Sequence, residues 1–453
     1  MKKIKNPEEV INPSVIKPGS RIYAAGNAAT PQRLLSALAA DDDIEQVELL
    51  GVLLLGDIEA LFSEASCRRI THRVIFNGPA SRAATNQDRA KYQLMHLSDI
   101  PRQLRSYLQP DLAFLTVSGP DNGGNFSLGT TVEAVLAAVE TVKRAGGVVI
   151  AERNARMPFV LGGTIPGDMI DYLVDTDYPL PVSPIKSPDE AARRIGQIIA
   201  RHYIQDGTTL QYGIGQVPEA VTDAILAKGV KDLGIHTELF ADAMQRLVEV
   251  GVVSNRHTFT HTNFAMSSIF LAGDQEGYDW LDYNSSVQSR PCDYTNHILN
   301  IARQPRMVAI NGAIGVDLHG NIWADSLQAR KIFSGVGGQS DFLRGAALSP
   351  GGVPIIALKS TTSDGASKIV DKCPEGITTT AIAADQVVIV TEHGAFDPRG
   401  LAFSERAVGI AHLAEPEIRE QLLKEIYDSP EFHHPAKALK DGVPKGITPY
   451  ETS

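Results

Sequence analysis

Scarcity narrows this sequence first. Its 453 residues include only three cysteines, Cys67, Cys292 and Cys373, far apart and without CxxC or Cys/His spacing. A disulfide framework and a zinc ribbon are therefore excluded, and no metal site is expected. The most apolar run, VELLGVLLLGD, is far shorter than a membrane span. The opening MKKIKNPEEVINP is charged and broken by prolines, so it lacks the apolar core of a signal peptide. Basic residues are outnumbered, 42 Lys and Arg against 53 Asp and Glu, for a formal net charge of −11. That balance argues against a nucleic-acid surface but leaves room for a local anion pocket. A protein without membrane or nucleic-acid partners, in the reducing cytoplasm, is expected.

What is present is an alternation of short apolar runs and amphipathic stretches. GSRIYAAG, VELLGVLLL, HRVIFNG, DLAFLTVS and GVVIAE read as buried strands, and PQRLLSALAA and TTVEAVLAAVETVKRAGG as helices between them. Such alternation predicts α/β units around a mainly parallel sheet. The proline-rich DYPLPVSPIKSPDE then reads as a linker, after which the pattern restarts. Two domains are expected, residues 1–180 and 188–453 around a linker at 181–187. The tail from Ser429, with His433 and His434, shows no period and reads as solvated surface.

Three loops carry chemistry. GIGQVPEAV ends a strand and opens a helix, so Gly213, Ile214, Gly215, Gln216 and Val217 offer backbone N–H groups to an anion. A dinucleotide fold is a rival, but its third glycine is replaced by Pro218. FSGVGGQSDF holds Gly335, Gly337 and Gly338 within four residues and suits a tight backbone cradle. VTEHGAF puts Glu392 at the end of a strand, where open parallel sheets bind ligands. Between the first two lies GIHTELFADAMQRLVEVG. Leu239, Ala243, Leu247 and Val250 fall on one helical stripe, which makes Thr237 an N-cap and Glu238 the first helical residue. There Glu238 either complements the helix dipole or acts as an ionised nucleophile, deprotonated at neutral pH.

The segments GIGQVPEAV, LGIHTELFADAM, RPCDYTNH, SGVGGQSDFLRGAALS and TEHGAFDPRGLAFSERA, with SRAATNQDRAKYQLMHLSDIP and GPDNGGNFSLGTTVEAV earlier, resemble the family I CoA-transferases of the acetyl-CoA hydrolase/transferase group, above all the 4-hydroxybutyrate CoA-transferase-like branch. The resemblance implies two related open-sheet α/β domains with the active site between them. It implies Glu238 as nucleophile, Ile214 and Gly338 as oxyanion donors, and Asn296 and Glu392 as supporting polar groups. It implies ping-pong transfer of CoA, a substrate held only transiently on the enzyme, from a short acyl-CoA to a small carboxylic acid such as 4-hydroxybutyrate, butyrate, succinate or itaconate. A homodimer or dimer of dimers also follows from it. An acyl-CoA hydrolase using the same glutamate, a dinucleotide-dependent oxidoreductase and a non-catalytic CoA-binding regulator are the alternatives. One departure stands out: where the family commonly reads STAKGGKVS, this chain reads STTSDGASK, leaving Lys359 or Lys368 to meet the CoA phosphates. Arg153, in VIAERNARMPFV, is either a surface-loop residue or a contact for a second substrate carboxylate.

Overall fold

In the computed structural model, residues 1–329, 331–432, 439–440 and 443–450 are described; the pair His433 and His434 lies outside them. The first sheet has eight strands: β1 (Lys2–Ile4), β2 (Arg21–Ala24), β3 (Val47–Val52), β4 (Ile70–Phe76), β5 (Lys91–Tyr92), β6 (Leu112–Val117), β7 (Val148–Asn154) and β8 (Tyr172–Thr176). Their order is β1-β8-β7-β6-β2-β3-β4-β5, and every pair is parallel. Helices α1 (Gln32–Ala40) and α2 (Val135–Arg144) are among its crossovers. Every residue of β6 is buried, as a strand covered on both faces requires, which is why these strands read as unbroken apolar runs.

The second sheet has seven strands: β9 (Thr209–Tyr212), β10 (Gly234–Ile235), β11 (Met307–Asn311), β12 (Val353–Ala357), β13 (Val388–Thr391), β14 (Gly394–Phe396) and β15 (Ile447–Pro449). Their order is β10-β9-β11-β12-β13-β14-β15. The first five run parallel, and β14 and β15 close the edge antiparallel. The tail therefore returns to the sheet, contrary to its aperiodic sequence, because β15 gains its order from hydrogen bonding to β14. Helix α3 (Glu190–Tyr203) crosses α4 (Gln216–Lys228) so closely that a side chain at Gly196 would meet the Ala220 backbone at 2.5 Å. Residues 177–189 between the sheets have no regular structure but are not slack. Leu180 exchanges hydrogen bonds with the Gln275 side chain, and the Ser183 N–H donates to Ala272 O at 2.8 Å.

Because β9 to β13 are parallel, the turns after them share one edge. They carry the GIG loop after β9, Thr237 and Glu238 after β10, Lys359 and Ser360 after β12 and Glu392 after β13. The glycine loop Ser334–Gly338 reaches across to the first sheet. Asn77 N–H, just after β4, donates to Ser334 O at 3.4 Å, and Leu97 N–H donates to Gly337 O at 3.0 Å.

Candidate active site

Glu238 is not the first residue of a helix. It sits in a bend between β10 and the two-residue strand Leu239–Phe240, and α5 (Asp242–Glu249) begins later, capped by Ala241. The helical stripe fails at both ends: Leu239 pairs in a strand with Ile269, and Val250 is 64% exposed. Pairing with the Ile269–Phe270 strand overrides the local period. The bend is held at its carbonyl: Glu238 O accepts from Ile269 N–H at 2.9 Å, Ser268 N–H at 3.1 Å and the hydroxyls of Ser267 and Ser268 at 2.8 and 3.1 Å. With the backbone pinned this way, the side chain projects from a rigid point without help from a helix dipole.

Two of the expected partners meet that side chain. Asn296, fully buried at the end of the short helix Cys292–Thr295, donates Nδ2 to Glu238 Oε2 at 2.8 Å. Its own Oδ1 accepts from the Thr295 hydroxyl, which fixes the amide orientation. Gly338, the cap of α6 (Gln339–Leu348), gives its backbone N–H to the Glu238 carboxylate. A Cβ on Gly338 would lie 1.9 Å from Glu238 Oε2 and 2.0 Å from Asn296 Nδ2, so only glycine brings an amide this close. Gly337, at φ +60°, makes the turn, and Gly335 is pressed against Ile75 and Phe76.

Burial pushes the Glu238 carboxyl up to about 7, with Asp341 adding to the rise and the Asn296 and Gly338 hydrogen bonds opposing it. The expectation of a fully ionised glutamate at neutral pH is thereby corrected, because desolvation outweighs the donors. Asp341 is itself buried in the first turn of α6, raised by burial and held by the Ser98 N–H and hydroxyl. His236, two residues before Glu238, is buried and donates Nε2 to Thr295 O at 2.7 Å; burial lowers it to about 4, so it stays neutral and structural. The Cys292 thiol is fully buried, raised by burial and bonded to Leu97 O.

The remaining expected residues form a second group along the same edge. Glu392 accepts from Ser360 N–H at 2.9 Å and from the Ser360 hydroxyl at 2.7 Å, with His393 beside it. Ligand atoms of Glu392, His393 and Glu415 come within 4.8 Å of one another, but Ser360 already satisfies Glu392. Gly213, Ile214 and Gly215 border open space: Ile214 is 47% exposed, and a Cβ on either glycine would meet nothing within 4 Å. Gln216 accepts from Lys359 Nζ at 2.7 Å, and Lys359 also pairs with Asp189. Val217 packs against the core beneath. Among the described residues no hydrogen bond joins the Gly213–Val217 turn or Glu392 to Glu238. Arg153 lies on β7, not in a surface loop as one reading expected, and forms a cross-strand pair with Asp175 at 2.6 Å. A groove of about 660 Å³ between α3 and α4, beside Tyr450, contains none of the candidate residues.

A partly exposed carboxylate with a fixed amide on one oxygen and a backbone donor beside it suits attack on an acyl carbonyl. Comparison with known proteins gives that chemistry a family. Residues 1–184 match the acetyl-CoA hydrolase/transferase N-terminal domain and residues 273–426 the corresponding C-terminal domain. The chain is 35% identical to the 4-hydroxybutyrate coenzyme A transferase of Clostridium kluyveri, over 91% of this chain and 95% of that one. The chain belongs to the acetyl-CoA hydrolase/transferase family. Its enzymatic nature follows from that membership. RipA of Yersinia pestis superposes with a TM-score of 0.85 at 30% identity, over 93% of this chain and 96% of that one. The 4-hydroxybutyrate CoA-transferase abfT-2 of Porphyromonas gingivalis superposes at 0.78 and 29%, over 94% and 97%. The two-sheet α/β fold of this enzyme is thus that of CoA-transferases.

Two acids at the site escaped the sequence reading, Glu133 and Asp341. Both lie inside matched motifs, TTVEAV and GGQSDF, and both are buried. For Glu133, an isolated acid within the apolar run VEAVLAAV was the available signal; Asp341 carried none.

Proposed function

We propose that this enzyme transfers CoA from a short acyl-CoA such as acetyl-CoA to a small carboxylic acid, with Glu238 as covalent carrier. The observation that carries the reading is Glu238 held between Asn296 Nδ2 and the Gly338 amide. The carboxylate attacks the acyl carbonyl; the C–S bond breaks, giving an acyl-glutamyl anhydride and CoA thiolate. The thiolate attacks the glutamyl carbonyl, the first acid leaves as its carboxylate, and a glutamyl-CoA thioester remains. A second carboxylate reverses the sequence. No proton is consumed, so the neutral His236 needs no acid–base role.

Each step passes through a tetrahedral oxyanion, which the Gly338 N–H and Asn296 amide are positioned to receive; Ile214 N–H is the further donor we assign, reaching the site with substrate bound. The open Gly213–Gly215 turn suits close approach of the pantetheine chain. Lys359 and Lys368, near enough to repel one another, bring positive charge for the CoA phosphates. Glu392 braces Ser360 beside them. On this reading residues 1–180 shape the acid site and residues 188–453 carry the nucleophile and CoA.

The test is mass spectrometry after incubation with acetyl-CoA and borohydride. A reduced adduct at Glu238, absent from Glu238→Ala, is expected. Full turnover by rigorously purified Glu238→Ala defeats the mechanism. Conversion of acetyl-CoA to a new acyl-CoA that depends on an added carboxylate marks a transferase; net release of free CoA without one marks a hydrolase.

A further inference from the structure

Glu133 lies in the turn before α2, fully buried, at φ +32°, a strained conformation for a residue with a side chain. Its backbone touches both segments that build the nucleophile. Val132 and Glu133 N–H groups donate to Ser268 O at 3.0 and 3.3 Å, and Ser268 in turn holds the Glu238 carbonyl. Glu133 O accepts from Cys292 N–H at 2.9 Å, and Cys292 opens the short helix that ends at Asn296. Since Asn296 bonds the Glu238 carboxylate, the path Glu238–Ser268–Glu133–Cys292–Asn296 closes on itself. The Glu133 side chain turns toward the same region. Tyr23, on β2, donates its hydroxyl to Oε1 at 3.0 Å, and Oε2 is buried without a partner.

We propose that Glu133 is a positioning residue for the transfer reaction: its backbone locks Glu238 against Asn296, and its carboxyl group, braced by Tyr23, sets the charge behind the nucleophile. The inference rests on the transferase reading above. Ionisable groups acting on Glu133 are Tyr23 from β2 and Glu238 itself, with Cys292 facing it from the short helix. Asp341 acts on Glu238 from α6. The neighbouring cations are engaged elsewhere, Arg105 by Asp293 and Glu140, and Arg290 by Ser289 O and Gln288. Burial first, then the Glu238 charge, push the Glu133 carboxyl up to about 8 against the opposing Tyr23 bond. Glu238 therefore ionises through about pH 7, ahead of Glu133, which stays mostly uncharged until about pH 8. Above that range a second charge forms behind the nucleophile and repels the CoA thiolate.

The experiment follows the rate of acetyl-CoA-dependent, borohydride-trapped adduct formation from pH 6 to 9.5, by intact mass, on the full chain. In the wild type the rate rises through about pH 7 and falls above about pH 8. Glu133→Gln lowers the maximal rate severalfold and abolishes the alkaline fall. Glu133→Ala, which also removes the Tyr23 contact, lowers the maximal rate by about tenfold while half-saturation by acetyl-CoA changes by no more than about twofold. Tyr23→Phe moves the alkaline fall and serves if the alanine variant does not fold. A Glu133→Gln profile that keeps the wild-type alkaline fall overturns the inference alone. A wild type that forms no adduct overturns the transferase reading and this inference with it.

Discussion

Two glycine-rich turns open helices at the same sheet edge, and their glycines serve opposite ends. In the Gly335–Gly338 loop the missing side chains make room for the protein itself: Cβ atoms at Gly335 and Gly338 would collide with Phe76, Ile75 O, Glu238 and Asn296. In the Gly213–Gly215 turn they leave room for nothing within the chain, since a Cβ on either would meet open space. The first is a finished cradle around a carboxylate. The second is a surface whose bare backbone gains meaning only when something docks on it. Glycine content alone did not separate them; only the packing around each does.

The sharpest way to break this contrast is to add one methyl to each turn. Gly338→Ala sets a carbon on top of the nucleophile, so the loop or Glu238 must shift and the oxyanion donor is lost. We expect kcat to fall by about 10²-fold or more, the range seen when a single such donor is removed. Steady-state kinetics check this against a preserved thermal melt.

The next largest effect is electrostatic. In the proposed mechanism Glu238 attacks as the carboxylate, and its protonation is favoured by burial and by Asp341. Acyl-CoA turnover at limiting substrate therefore rises with pH through about 7. Asp341→Asn removes a neighbouring negative charge, stabilises the ionised form and moves that rise to lower pH. An unchanged limb in the pH–rate profile counts against Asp341 acting on the nucleophile.

The smallest effect is expected at the open turn. Gly213→Ala meets no atom, so the fold and kcat should persist while KM for acyl-CoA rises about threefold through lost approach of the ligand. A fall in kcat equal to that of Gly338→Ala would erase the distinction between the turns.

Much of the fold was legible because parallel strands buried on both faces leave unbroken apolar runs such as LAFLTV and VPIIA. Of the site, Glu238, Asn296 and Gly338 were legible through their motifs and do meet. The conformation of Glu238 was not. LFADAMQRLVEV carries a helical period, yet Leu239 and Phe240 pair with a strand far along the chain, and no local pattern encodes that choice. Glu133 and Asp341 were missed for a related reason. Glu133 is one acid among apolar neighbours whose proximity to Glu238 arises only when the first sheet docks on the second, and Asp341 meets Glu238 only through the folding of the second half. The aperiodic tail likewise conceals β15, whose order comes from the strand it joins.

The grip of the first half on the loop of the second has a kinetic corollary. Asn77, Leu97 and Ser98 fasten Ser334, Gly337 and Asp341, the very stretch that delivers the Gly338 amide. Swinging the halves apart to admit each new acid would dismantle the oxyanion seat on every cycle. On the proposed mechanism, incoming acids would therefore reach Glu238 with these cross-half hydrogen bonds still in place, without a hinge opening between the halves.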